Sequence, residues 1–233
     1  MKVRVKFSKI GPLKFIGHLD MMRYFQKAIR RSGIAICYST GFSPHQIMSF
    51  AAPLGVGVES LGEYFDIEVS QVSTAKEMIA ALNAEMAEGV VIEGMSILPD
   101  SAKNAMASVQ AASYEVYLDG VNEPDVSVSE WIACLLNEES YFYTKEGKKG
   151  KGSITKDIRP AIFDLKMLDN GSLYMLVDAS SAANLKPATV VEALYGYSSG
   201  FTVAPSFRVL RLDTFTRDES GQFIPLGDVG NAF

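Results

Sequence analysis

Strand-like and helix-like periodicities alternate along this chain in one order, and the order occurs twice. That recurrence restricts the available folds more than any single motif does. Val3–Phe7 (VRVKF) alternates with period two and predicts a strand. After a turn signal at Gly11 and Pro12, residues 18–32 place Leu19, Met22, Phe25 and Ile29 at helical spacing. Ile34–Tyr38 reads as a second strand, and Ser39–Pro44 as a loop interrupted by Gly41 and Pro44. Tyr64–Val69 alternates again, Ser73 or Thr74 caps a helix running to about Met86, and Val90–Leu98 supplies a closing strand.

Past a polar, Ala- and Ser-rich connection (Asp100–Ala112), the pattern restarts with the strand SYEVYL. A helix capped near Ser127 or Ser129 carries Trp131, Ile132, Leu135 and Leu136. Strands follow around Tyr141–Thr144, Ile162–Leu168 and Leu173–Val177, then a helix at Pro187–Tyr197 and a strand at Phe207–Phe215, with an extra hairpin near Gly147–Gly152. The expected class is α+β: two tandem ferredoxin-like βαββαβ units with antiparallel sheets, residues 1–105 and 110–220, and a tail at 221–233. Each unit lays two helices on one sheet face and leaves the other face for a partner or for the other half.

Charge is unevenly distributed. Residues 1–50 hold nine lysines and arginines against a single acid, Asp20, a local net charge of +8 in a chain of −5, so the remainder carries −13. No apolar run is long enough to span a bilayer, and the opening MKVRVKFSKIG lacks the continuous apolar stretch of a signal peptide, so a cytoplasmic location is expected. Cys37 and Cys134 are far apart, form neither a CxxC pair nor an iron–sulfur spacing, and are expected to be buried thiols.

The basic segment contains three features with chemical content. Arg23, Lys27, Arg30 and Arg31 share one stripe of the first helix; an ordinary solvated face is the plain reading, and a phosphate-binding face is the functional one. The only two histidines, His18 and His45, lie close together in sequence, His18 beside Asp20 at a helix start, where Asp20 is placed to cap. His45 follows the loop Gly41, Phe42, Ser43 and Pro44, whose stiffness suits the holding of one side chain. If both imidazoles and Asp20 faced one cleft they could work as acid and base; two His and one Asp are an incomplete metal signature, so no metal is expected. A second basic cluster, KEGKKGKGSITKDIRP, offers Lys148, Lys149, Lys151 and Arg159 as backbone-gripping groups or as a solvated hairpin tip. Tyr114, Tyr117, Tyr141, Phe142 and Tyr143 are base-stacking candidates on an open sheet, or ordinary core residues. The glycine fingerprint of nucleotide-binding folds, the P-loop, the GxSxG elbow and HExxH are all absent, and no cofactor is expected.

The stretches FSKIGPLKFIGHLDMMRYFQKAIRRSG and YSTGFSPHQIMSFAAPLGVGVESLGEYFDIEV, with TKDIRP far downstream, resemble the radical SAM-associated (radical SAM-linked) proteins, a bacterial family built on a domain of unknown function. The matching positions are His18, Asp20, Gly41, Phe42, Pro44, His45, Asp157, Arg159 and Pro160, while Gly17 stands where that family carries serine. The resemblance implies context: members occur fused to, or encoded beside, cobalamin-binding radical SAM proteins, often near ribonuclease G/E and ribosomal protein genes. This chain lacks the three-cysteine cluster motif, so the implied role is that of a partner rather than the radical enzyme. Three readings stand at this point: an RNA-binding accessory protein of a radical SAM protein, an RNA-processing or RNA-modifying enzyme using His18 and His45, and a protein-interaction scaffold.

Overall fold

A computed structural model describes residues 1–121, 125–146, 152–197 and 204–233 of the chain. It divides into two compact units: Met1–Ala111 with Leu210–Phe233, and Ala112–Val209.

In the first unit the elements run β1 (Lys2–Lys9), a 3-10 turn (Gly11–Phe15), α1 (His18–Ser32), β2 (Met48–Phe50), β3 (Glu59–Glu68), α2 (Ala75–Asn83), β4 (Val90–Ile97) and the short α3 (Ala105–Ser108). The order across the sheet is β4-β1-β3, with β2 on the far half of β3, all antiparallel. That is the βαββαβ arrangement expected, but β2 is displaced. The Ile34–Tyr38 segment contributes only isolated bridges, Ile36 to Val69 and Tyr38 to Gln46, and the strand forms at Met48–Phe50, where Phe50 turns into the core.

One phase of each strand builds the core. Val3, Val5 and Phe7 of β1, Phe65 and Ile67 of β3, and Val90 and Ile92 of β4 pack against Met21, Phe25 and Ile29 of α1 and Met78 and Leu82 of α2. Phe25 is its centre, with ring centroids 4.8 Å from Phe7 and 4.7 Å from Phe65; such pairs contribute about 0.5–1.5 kcal/mol beyond burial. Met21 takes the inward position expected for Leu19, which is 65% exposed. Helix α1 stops at Gly33, whose φ of 75° is the left-handed geometry glycine adopts without strain. Helix α2 starts on a reciprocal capping box between Thr74 and Glu77.

The second unit runs β5 (Ala111–Leu118), α4 (Val126–Asn137), the hairpin β6 (Phe142–Glu146) and β7 (Ser153–Asp157), β8 (Ile162–Met167), β9 (Leu173–Asp178), α5 (Pro187–Tyr197) and the start of β10 (Phe207–Arg217). Its order, β10-β5-β9-β8, repeats that of the first unit, and the hairpin stands apart as a two-stranded sheet between the first helix and β8. Helix α4 is capped by Asp125, which accepts from the amides of Ser127 and Val128, rather than by Ser127 or Ser129. Cys37 is half-buried and Cys134 exposed, so neither is a core thiol. Both lie on segments, the 34–38 run and α4, whose inward positions larger apolar residues already fill.

From Leu210 onward β10 belongs to the first unit, where Leu210 and Arg211 pair in parallel with Glu59 and Ser60. It is followed by β11 (Phe223–Pro225) and a 3-10 turn (Leu226–Val229). Residues 221–233 are therefore no free tail: Leu226 is fully buried, Asn231 bridges Ile97, and the Phe233 carbonyl accepts from Ala75 N. These residues cover the sheet face that was expected to stand open. Among the described residues no helix is long and apolar enough to cross a membrane.

Candidate functional site

The alternation that buries Val3, Val5 and Phe7 continues inward to Lys9, and the one that buries Ile67 and Phe65 continues to Glu63. Two charged residues thus occupy core-facing positions at one end of the sheet, beneath the first turn of α1. Lys9 is 3% exposed and Glu63 4%. Glu63 accepts from Ser60 Oγ at 2.7 Å and from Arg211 Nη1 at 2.7 Å, and Lys9 donates Nζ to the Ile16 carbonyl at 2.8 Å. His18, the first residue of α1, closes the group, its ring edge-on to Phe50 at 5.3 Å. Lys9, His18, Phe50 and Glu63, with Phe7, Met21, Ala52 and Leu54, line a cleft of about 10 Å³, close to the room of one water.

Electrostatics follow from burial. Loss of solvent pushes His18 below its ordinary value; the Glu63 carboxylate opposes the shift and Lys9 adds to it. Lys9 is also pushed down by burial, against Glu63. His18 is therefore a neutral imidazole at pH 7. An unfolded chain holds more protons on this residue than the folded one as pH approaches 6.5, so its contribution to stability is complete above that value and is lost as pH falls through the lowered folded value. The melting temperature should fall between about pH 7 and pH 5 less steeply in His18→Gln than in the parent chain; superimposable pH profiles would refute the assignment.

His45 lies elsewhere. Its Nδ1 shares a 2.9 Å hydrogen bond with Ser39 Oγ and lies 3.5 Å from the Ser43 carbonyl, while Ser39 and His45 also bond through their backbones. Among the described residues the two imidazoles make no contact, and His45 does not line the His18 cleft. Gly41, with φ of 115°, lets this loop turn and present Phe42 fully to solvent, with Ser43 and Pro44 also exposed. Asp20 is 70% exposed and pairs with Arg23 at 3.1 Å instead of capping the helix. An acid–base pair of His18 and His45 assisted by Asp20 has no geometric basis here.

The basic stripe is exposed but half neutralised. Arg31 pairs with Glu85 at 2.5 Å, an acid the helix sequence alone does not reveal, and Arg23 with Asp20. Among the described residues Lys27 and Arg30 make no ion pair. The wider +8 segment is largely consumed in folding: Arg4 pairs with Asp66, Lys6 with Asp213 and Lys14 with Glu59. Arg159 is a structural joint, donating twice to the Leu136 carbonyl at the end of α4 and once to Ile162, while Asp157 accepts from the amides of Tyr141 and Arg159. Lys148, Lys149 and Lys151 lie outside the described residues. Of the aromatic candidates Tyr114 is core, Tyr117, Tyr141 and Tyr143 are half-buried, and Phe142 is 66% exposed.

A feature the periodicity did not anticipate lies on the segments next to His18. Phe15, Leu19 and Val56 are 66%, 65% and 64% exposed. Gly57 N donates to the Lys14 carbonyl and Glu59 accepts from Gly11 N, which ties the 55–59 loop that carries Val56 to the turn that carries Phe15, while Leu19 directly follows His18.

Across residues 2–187 the chain matches the model of DUF2344, described as an uncharacterized protein conserved in bacteria. The chain belongs to this family. For this DUF2344 member no curated protein sequence matches. Among solved structures it is similar to a chain of a Cbf5-Nop10-Gar1 complex, at 8% identity and a TM-score of 0.49 over 94% of this chain and 51% of that one, so it spans about half of that chain's length. It is also similar to the first two RRM domains of yeast poly(U) binding protein (Pub1), at 14% identity and a TM-score of 0.22 over 91% and 98% of the two chains. The fold assignment rests on strand order and register, not on these scores.

Proposed function

We propose that this chain is a non-catalytic accessory protein that docks on a cytoplasmic partner through the segment around His18. The partner is the cobalamin-type radical SAM protein implied by the motif resemblance. The observation that carries this reading is the exposure of Phe15 and Leu19 on either side of His18 in the chain, and of Val56 on the loop tied to the turn before α1, while the His18 cleft itself has room for about one water. A rim of charged pairs, Lys14 with Glu59 and Asp20 with Arg23, borders it, as in interfaces with an apolar centre and a polar edge. The buried Lys9, Glu63 and Arg211 cluster fixes the floor, and His18 joins the floor to the helix.

RNA contact is the second reading, favoured by Lys27 and Arg30, which are exposed and carry no ion pair among the described residues. One experiment separates the two. The purified chain is titrated with the purified cobalamin-type radical SAM protein, with and without nuclease and in low and high salt. Docking predicts a complex that survives both treatments and is weakened about tenfold or more by Phe15→Ser or Leu19→Ser, substitutions at exposed positions that leave folding intact. A complex lost on nuclease treatment transfers the reading to RNA, and absence of any complex removes the docking proposal.

A further inference from the structure

The hairpin between Tyr38 and Gln46 is closed at its base and open at its tip. Tyr38 bridges Gln46, Ser39 N donates to the His45 carbonyl at 2.8 Å, and Ser39 Oγ accepts from the His45 amide at 3.1 Å. Gln46 is 5% exposed and donates Nε2 to the Gln26 carbonyl of α1 at 3.1 Å. In an α-helix that carbonyl is also the acceptor of the amide four residues on, here Arg30. The hairpin is therefore hooked onto the helical turn that carries Lys27 and Arg30. Phe42 stands four positions before Gln46, a reach of at most about 14 Å.

Two kinds of chemistry meet at this junction. Phe42 is wholly exposed and Tyr38 47% exposed, two rings on one hairpin whose tip Pro44 stiffens. On the adjoining turn of α1 positive charge is uncompensated. The sequence holds no acid between Asp20 and Glu59, Asp20 is taken by Arg23 and Glu85 by Arg31, and Lys27 and Arg30 make no ion pair among the described residues. Among the described residues the amides of Gly41, Phe42 and Ser43 also donate to no acceptor. Rings for stacking, cations for phosphates and unspent N–H donors are what an unpaired nucleic-acid strand requires. The exposed hydroxyls of Thr40 and Ser43 suit a ribose 2′-hydroxyl, the group that distinguishes RNA. A lipid surface is a poorer match, because Thr40, Gly41, Ser43 and Pro44 give Phe42 no large apolar neighbour to bury with it.

We propose that Phe42 and Tyr38 stack bases of a single-stranded RNA whose phosphates lie on Lys27 and Arg30. The inference rests on the RNA reading and not on docking, since none of these residues belongs to the Phe15, Leu19 and Val56 surface. The test is the fluorescence anisotropy of a labelled, unstructured RNA of about 12 nucleotides, titrated with the full chain over a salt series. No protein partner is present, so the outcome is independent of docking. Phe42→Ala should weaken binding about tenfold and leave the slope of log affinity against log salt unchanged, because a base contact and not a phosphate contact is lost. Lys27→Gln and Arg30→Gln should each weaken it and reduce that slope by about 0.7. All three replaced side chains are exposed, so each variant should melt with the parent. The same sequence as DNA should bind about threefold weaker, having no 2′-hydroxyl to offer. The proposal is overturned if no RNA binds up to about 100 μM at low salt. RNA binding that Phe42→Ala does not weaken keeps the RNA reading and overturns this site, as does a salt slope that neither cation variant alters. Equal affinity for the DNA strand, or binding to phosphatidylserine vesicles without binding to RNA, overturns it too.

Discussion

Replacing Glu63 by alanine is expected to cost the first unit roughly 3–5 kcal/mol, the penalty of leaving buried charge uncompensated. Arg211, 6% exposed, loses the carboxylate it meets at 2.7 Å, and Lys9, 3% exposed, loses the anion that offsets its desolvation. Ser60 Oγ, fully buried, loses its acceptor at the same time. Replacing Glu63 by leucine together with Arg211 and Lys9 by methionine removes all three buried charges and should recover most of the loss, because buried ion pairs are seldom better than well-packed apolar side chains. Urea unfolding of the three chains measures both effects. A single-variant cost below about 1 kcal/mol, the range of an exposed pair, would mean that the cluster is solvated and not the rigid floor described here.

Gly62→Ala carries the other large effect. A methyl group at this position would overlap the Cα of Asp213 and come within 2.7 Å of the Leu212 carbonyl, both on the neighbouring strand β10. Backbone cannot yield as a flexible side chain does, so β3 and β10 must part. Parting them breaks the Thr214 hydrogen bond to the Gly62 carbonyl and pulls Asp213 from Lys6 and Tyr64. A loss of about 3 kcal/mol is expected, at the upper end for overpacking. Tyr64 adds a spectroscopic reading: burial, together with the neighbouring Asp213, holds its phenol well above the ordinary value, and a displaced β10 should bring its ultraviolet titration back toward about pH 10. Gly94→Ala on β4 is the control, since a Cβ there meets nothing within 4 Å. Equal stability of the two alanine variants would contradict the close approach.

Element types and their order were legible because periodicity reports burial. Alternation located β1, β3 and β5, and helical spacing located α1, since in each one face must leave water, while Pro187 at a first turn marked α5. The second strand was misplaced because Ile34–Tyr38 has strand composition but little partner strand, while Met48–Phe50 is too short to show a period. The candidate site was legible only in part. His18 stands out in the sequence, whereas Lys9 enters only through the charge count of residues 1–50 and Glu63 not at all. Their inward phase, two residues beyond Phe7 and two before Phe65, was the available signal. Arg211 gave none, because its place beside Glu63 depends on a pairing across almost the whole chain. A linear count overstates the free positive charge of the opening segment for a related reason: antiparallel register sets Arg4 opposite Asp66, and the count cannot see that neutralisation.

The return of residues 210–233 to the first unit has a bearing on biogenesis. During synthesis residues 1–111 emerge without β10 and without the segment that carries Leu226, so Arg4, Glu63 and Tyr64 wait for partners more than a hundred positions downstream. Contacts of such sequence separation form late and slowly. The second unit, contiguous from Ala112 to Val209, depends on no such distant segment to close.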